Sequence, residues 1–401
     1  MSKINRYFNI LSIILPIIGL SITENFVFLF AIFLLHVFTI FFNLSNTSYK
    51  IYNNHKFILC FVILIIISYL LCLTSIDILS SLKTTTIILG SSLLFLLVLM
   101  TNLNASQDII KSFKFIIMFS AFLCIYGLVI RILGEQYIID IDGSGNYIQR
   151  LSLGNITLSQ SACGDKYFNF MVGSLTGNPN TLSYLSLFSI AMLSLCKIKF
   201  WKKMLLYIIL IIGIFISGSR MALVSLILFG LYKIFLKIKS RKLLAFYIVL
   251  LLILAIILIL NFQIIYKDIL SIDLNGRNES WTYLIKTFPL IGSGLGNDIL
   301  KLHDIGINSS THNSYISLIT NYGIFLSVII LFIMFLIILH TKKIKSNQLV
   351  NTCKALFILL LIAGISESVF LIYGWFNYLF LLVIFEMIRG DNNDNNIYTN
   401  V

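Results

Sequence analysis

The stretch MLLYIILIIGIFISGSRMALVSLILFGLYKIFL, residues 204–236, decides the fold class of this chain. Two apolar runs, 204–217 and 221–236, are separated only by Gly218, Ser219 and Arg220. Each run approaches the ~20 residues needed to cross the hydrocarbon of a bilayer. A polar turn this short must reverse the chain at one membrane surface, because an unpaired backbone cannot sit in lipid. Working outward, the same pattern recurs upstream near 7–22, 25–42, 57–73, 84–100, 113–133 and 181–196. It recurs downstream near 243–262, 321–340, 354–366 and 371–388. The spacing predicts an all-α, polytopic integral membrane protein of about 12 transmembrane helices. Composition agrees: the 401 residues are 59% hydrophobic and 11% charged, with a mean hydropathy of +0.98. A soluble domain carries roughly 25% charged residues, so this chain could not cover a soluble core with polar surface.

The basic stretch Met1 to Arg6 precedes the first run, but no small-residue cleavage site follows it, so the run is read as a retained helix. The net charge of +13 would suit a nucleic-acid binder, yet its distribution is topological. With both termini on one side, twenty of the twenty-nine Lys and Arg residues fall on that side, including Lys197, Lys199, Lys202, Lys203, Lys342 and Lys343. The positive-inside rule makes that face cytoplasmic, and no nucleic-acid partner is expected. Cys60, Cys72, Cys124, Cys196 and Cys353 fall in or at the ends of spans, and Cys163 stands alone in an outer loop. Neither a disulfide nor a zinc site follows from that spacing.

The threading makes residues 1–390 a single transmembrane domain with two long outer loops, near 134–180 and 263–312, and leaves 391–401 as a polar cytoplasmic tail. The first loop is rich in Gly, Asp and Asn and ends in Gly177-Asn-Pro-Asn180, a turn with an Asn cap for the next helix, where Asn180 could also meet a substrate. In the second loop, Arg277 to Lys286 reads as a short interfacial amphipathic helix with Trp281, Leu284, Ile285 and Phe288 on its apolar side, ended by Pro289. Gly292-Ser-Gly-Leu-Gly296 resembles a dinucleotide loop only superficially. No strand precedes it, so a flexible turn is the expectation.

Three outer-face residues could carry chemistry: Arg220, Arg277 and His312. Arg220 between two spans is costly without a partner or an aqueous cavity, although a lone Arg can snorkel to the interface. Arg277 alone is an ordinary residue for an interfacial helix. His312 opens the apolar helix beginning Asn313-Ser-Tyr, where the helix dipole favours a neutral imidazole able to take a proton; the competing reading is that His312 only caps the helix. Together they suggest two fixed cations for a phosphate-rich group beside one base. The outer loops lack a clustered acidic pair; Asp140 and Asp142 are the nearest candidate and read as loop solvation.

These pieces carry a family resemblance over about 204–335. Ser217-Gly-Ser-Arg220-Met-Ala is similar to the serine-arginine turn of the O-antigen polymerase and O-antigen ligase superfamily, bacterial membrane glycosyltransferases that use undecaprenyl-diphosphate-linked glycans. Arg277-Asn-Glu-Ser-Trp281 followed by Pro289-Leu-Ile-Gly292-Ser-Gly-Leu-Gly296 resembles its arginine, tryptophan and PLxGxGxG segment. His312-Asn313 with Gly323 resembles the histidine motif of the ligases, and Gly177-Asn-Pro-Asn180 an element often seen upstream. The ligase motif continues to a Gly, Thr or Tyr where this chain has Leu326.

The resemblance implies a fold like that of the C-type glycosyltransferases, with both large loops periplasmic, and a bacterial inner-membrane, multi-pass location with cytoplasmic termini. It implies inverting transfer of an undecaprenyl-diphosphate-linked glycan without metal or cofactor, and the outer basic residues scattered among acidic neighbours, together with Leu326, favour a polymerase that joins oligosaccharide repeat units. His312, Arg220 and Arg277 would be catalytic, and Ser219, Asn180, Trp281 and Asn313 would bind substrate. Membrane lipids, a chain-length regulator and the flippase of the same pathway are the expected partners. The alternatives are an O-antigen ligase acting on lipid A core and, in another class, a flippase or transporter. Transporters place ionisable groups at the midplane or show inverted repeats, and here Arg131 and Glu386 lie near span ends and no repeat is seen.

Overall fold

The computed structural model describes residues 3–23, 25–45, 55–102, 104–138, 146–165, 169–237, 277–307, 311–341, 347–367, 369 and 374–389. The first half contains α1 (Lys3–Ile22), α2 (Phe26–Ser45), α3 (His55–Cys72), α4 (Ile78–Thr101) and α5 (Ala105–Leu133). Four strands follow: β1 (Glu135–Ile138), β2 (Asn146–Leu153), β3 (Ile156–Asp165) and β4 (Asn169–Ser174). Then come α6 (Pro179–Met192), α7 (Phe200–Ser217) and α8 (Arg220–Lys237). The second half holds α9 (Arg277–Lys286), α10 (Asn297–Asp304), α11 (Ser314–Thr341), α12 (Gln348–Ala363) and α13 (Trp375–Arg389). The expected span at 243–262, the tail 391–401, Asp140 and Asp142 lie outside the described residues.

Among the described residues, six helices are long and apolar enough to cross a membrane: α1, α2, α4, α5, α7 and α11. They carry the outward apolar surface that lipid would cover, such as Phe30, Phe38 and Phe41 on α2 and Phe325, Val328 and Phe332 on α11. The short helices α6 and α13 are interior. Nearly every residue of α6 and α13 is buried, and α6, about 21 Å long at 1.5 Å per residue, packs against α5, α7 and α12. Protein rather than lipid surrounds it, so it need not match the bilayer thickness. One core therefore runs through the bundle, with Tyr184, Phe188, Trp375 and Phe376 meeting edge to face between α6 and α13.

The all-α expectation is corrected in the first outer loop, which folds as an antiparallel meander in the order β1-β2-β3-β4. Leu153 faces Ile156 across a two-residue turn, with Gly154 at φ 61°; Gly-Asn is one of the pairs that close such a hairpin without strain. The sheet lies over the outer end of α5. The Tyr126 hydroxyl donates to Ser159 O (2.7 Å), Ser174 Oγ to Leu123 O (2.8 Å), and Gln160 Nε2 to Gln149 Oε1 (2.8 Å) beneath the strands. Its buried positions are Gln149, Gln160, Ala162, Val172 and Ser174, too polar and too small to leave the alternating apolar pattern by which strands are read.

The second outer loop is also more ordered than a flexible turn. Helix α11 breaks at Gly323, which sits at φ 79°, ψ 165°. The chain from Pro289 to Gly294 fills the break: Ile324 N donates to Pro289 O (3.1 Å) and Gly294 N to Asn321 O (2.9 Å). Thr74 and Ser81, at the α3–α4 turn, donate from their hydroxyls to Gly292 O and Leu295 O. A broken helix inside a membrane protein is tolerated where neighbouring backbone satisfies the freed groups. The glycines allow that approach, since a Cβ on Gly292 would stand 2.2 Å from Asn321 O.

Candidate functional site

The site forms where the outer ends of α6, α8, α9, α11 and α12 converge. Its pivot is the turn after α12, Gly364 to Glu367. Asn180, on the first turn of α6, donates from Nδ2 to Glu367 Oε1 (2.7 Å). From the other side, His312 Nδ1 comes within 3.7 Å of Glu367 Oε2. Arg277, the first residue of α9, donates from Nη1 to Ser366 O (3.2 Å), and the Tyr184 hydroxyl bonds Ser366 Oγ (2.8 Å). Three residues far apart in sequence, Asn180, Arg277 and His312, thus meet around two consecutive residues of one short turn.

Local structure explains why each points there. Asn178 caps α6, its side chain accepting from Asn180 N, with Pro179 in the first helical position, so the cap read from Gly177-Asn-Pro-Asn180 is Asn178. At α11 the capping residue is Asn313: its Oδ1 accepts from Tyr315 N and Ile316 N, both 3.0 Å. His312 is therefore not the cap. It stands in the left-handed region at φ 45°, where a non-glycine residue costs energy and marks a held position. Three contacts hold it. Asn313 Nδ2 donates to Ile365 O (2.9 Å), Trp281 Nε1 donates to Thr311 O (2.7 Å), and the Thr311 hydroxyl donates to Asp298. The amides of Asn313 and the indole of Trp281 are thus engaged by the protein itself. Around Trp281, helix α9 buries Leu284 against Leu302 and Ile316 while Ile285 faces out, so its apolar side serves protein packing.

Ser219 and Arg220 stand apart from this chain of contacts. Gly218 ends α7 in the left-handed conformation, Ser219 is buried, and Arg220 is exposed at the start of α8. Their turn nevertheless belongs to the same end of the bundle. Gly218 lies against Met171 of β4, Arg131 Nη1 donates to Ile216 O (2.9 Å), and α8 packs on α6, which carries Asn180, and on α12, which leads into the Glu367 turn.

Next to His312 opens a cavity of about 560 Å3, within the range of small-molecule sites. His312, Glu367 and Asp298 line it together with Asn178, Ser317 and Asn321, and Leu20, Ile88, Leu295 and Trp375 form apolar walls. Asp298, which the sequence reading did not single out, and Glu367 share this lining. Glu367 is a lone acid between two apolar runs, the same signal that singled out Arg220.

A broken, glycine-sealed helix and a histidine–carboxylate pair in an outer cavity, with an arginine close behind, define a multi-pass membrane protein built for polar chemistry at the bilayer surface. Residues 205–331 match the family model described as O-antigen ligase; the match spans less than half of the chain and supports its resemblance to the O-antigen ligase and polymerase superfamily. The match contains Arg220, Arg277, Trp281, His312 and Asn313, whereas Asn180 and Glu367 lie outside it. No curated protein matches the chain.

Proposed function

We propose that this chain polymerises surface polysaccharide, joining undecaprenyl-diphosphate-linked oligosaccharide units on the periplasmic face by inverting glycosyl transfer. The carrying observation is the chain of contacts Asn180–Glu367–His312, of which Glu367 and His312 line the cavity. Glu367 turned toward Nδ1 sets the imidazole so that Nε2 is the basic nitrogen. An acceptor hydroxyl in the cavity gives its proton to Nε2 while its oxygen bonds the anomeric carbon of the donor sugar. The bond from that carbon to the phosphate oxygen breaks, and undecaprenyl diphosphate leaves with the electron pair. The 3.7 Å separation is longer than a hydrogen bond, and the scheme requires the two groups to close by about 0.5 Å during transfer.

Arg277 and Arg220 supply fixed positive charge for the leaving diphosphate, and the guanidinium fork suits phosphate oxygens. This electrostatic help and the quality of diphosphate as a leaving group make a metal unnecessary to the scheme. Ser219 supports the Arg220 turn, whereas Asn313 and Trp281 serve by holding the His312 backbone.

A ligase would use the same donor but accept onto a phosphorylated lipid A core. The outer basic residues are spread over several loops with acidic neighbours, a weak field for recruiting such an anion. Deleting the gene tests the assignment. Surface glycan bearing a single repeat unit, with its long ladder lost, is the expected phenotype; glycan accumulating as lipid-linked polymer with none attached would assign the chain as a ligase instead.

A further inference from the structure

The cavity beside His312 has a one-sided electrostatic wall. Asp298 and Glu367 line it, and among the described residues no Lys or Arg does. Arg277 bonds the carbonyl of Ser366 and is not part of the lining. Asp298 is buried, and its two hydroxyl donors, Thr311 and Ser317, both converge on Oδ2. Among the described residues no donor reaches Oδ1, so one carboxylate oxygen of a cavity-lining residue keeps its full accepting capacity. Ser317, Asn321, Asn178 and Thr84 add hydroxyl and amide groups to the same wall, and Trp375 and Ile88 add apolar surface. Paired carboxylates, amides and an aromatic ring suit a polyhydroxylated ring. They repel a diphosphate, because two like charges in a partly dry cavity interact by several times their strength in water.

We propose that this cavity is the acceptor pocket, that it selects a sugar carrying no phosphate or carboxylate, and that Asp298 is the residue that sets this selectivity by accepting from its hydroxyl or ammonium groups. The inference rests on the transferase reading above and divides that site in two: donor diphosphate at the arginines, acceptor sugar at the carboxylates. It also gives a structural reason to prefer a polymerase over a ligase, since a phosphorylated core would enter against two negative charges.

The test uses full-length protein in detergent and lipid-linked repeat units extracted from cells lacking the gene. Three probes are compared: methyl glucosaminide, methyl glucoside and glucose 6-phosphate. Each is measured as an inhibitor of polymer formation and, separately, as a ligand by saturation-transfer NMR. The amino and neutral glycosides should each bind and inhibit at least about tenfold better than the phosphate. Asp298→Asn keeps an acceptor for Thr311 and Ser317 but removes the charge, and should bring the three probes within about twofold of one another. Thr84→Lys, at a half-buried position in the same lining, should improve glucose 6-phosphate selectively, which covers the case where Asp298→Asn misfolds. Glucose 6-phosphate binding the wild type as well as methyl glucoside, or a ranking that neither variant alters, overturns the proposal. If polymer forms but the ranking is absent, the pocket assignment alone fails. A wild type that ranks the probes as expected yet makes no polymer overturns the acceptor role together with the transferase reading.

Discussion

Glu367 joins three distant parts of the chain, and its two oxygens do different work: one accepts from Asn180, the other faces His312. If the carboxylate orients the imidazole, Glu367→Gln should lower kcat by about 10²-fold, the usual penalty for misplacing a catalytic group, while KM for the lipid-linked donor holds. Glu367→Asp should recover part of the loss, which a purely structural turn residue would not show. His312→Ala should cost about 10²–10⁴-fold in transfer with protein still in the membrane. Wild-type-like turnover would remove the base from the mechanism, and since Asn313 already caps α11, no capping role would remain to explain His312. Arg277→Lys should be rescued poorly, because an ammonium cannot reproduce a bidentate fork. Initial rates with purified lipid-linked donor separate these cases.

Among the elements, the most demanding is the broken α11 with the Pro289–Gly294 segment packed into its gap. The break lets α11 begin at the outer surface, where Asn313 fixes His312, and still continue as a long lipid-facing helix to Thr341. Both glycines are held by geometry: Gly323 is left-handed, and Gly292 touches the backbone of Asn321 and Tyr322. Gly323→Ala should cost about 1–3 kcal/mol from a backbone conformation that is essentially glycine's alone, with more from the clash against Gly292. Gly292→Ala should be at least as damaging, because the atoms it meets are backbone. Thermal unfolding in detergent should show both variants well below wild type, with Gly230→Ala unchanged as a control in open space. An unaltered melting curve for Gly292→Ala would mean that the interlock does not form.

At the scale of the molecule, the bundle places interior helices α6 and α13 inside a ring of lipid-facing ones, and the chemistry gathers at one end. The charge distribution predicts that the opposite end faces the cytoplasm. In a cysteine-free background, single cysteines at positions 240 and 308 test this with a membrane-impermeant thiol reagent on intact cells. Labelling is expected at 308 and not at 240; the reverse pattern inverts the orientation.

The sequence by itself determined the helical membrane architecture, because each apolar run must satisfy its backbone internally and so becomes a helix wherever it falls. Eleven of the runs read from sequence coincide with helices, from α1 through α8 and α11 through α13. It also marked Arg277, His312 and Asn180, since charge and caps beside apolar runs are local signals. Only the tertiary structure decided the rest. The sheet was hidden because its buried face is built from Gln149, Gln160 and Ser174, whose burial is compensated by hydrogen bonds rather than announced by hydrophobicity. The helix break was hidden because Gly323 lies in an apolar run that reads as continuous. Glu367 and Asp298 acquire meaning only beside His312, a proximity set by how α6, α11 and α12 pack, over separations that no local pattern spans.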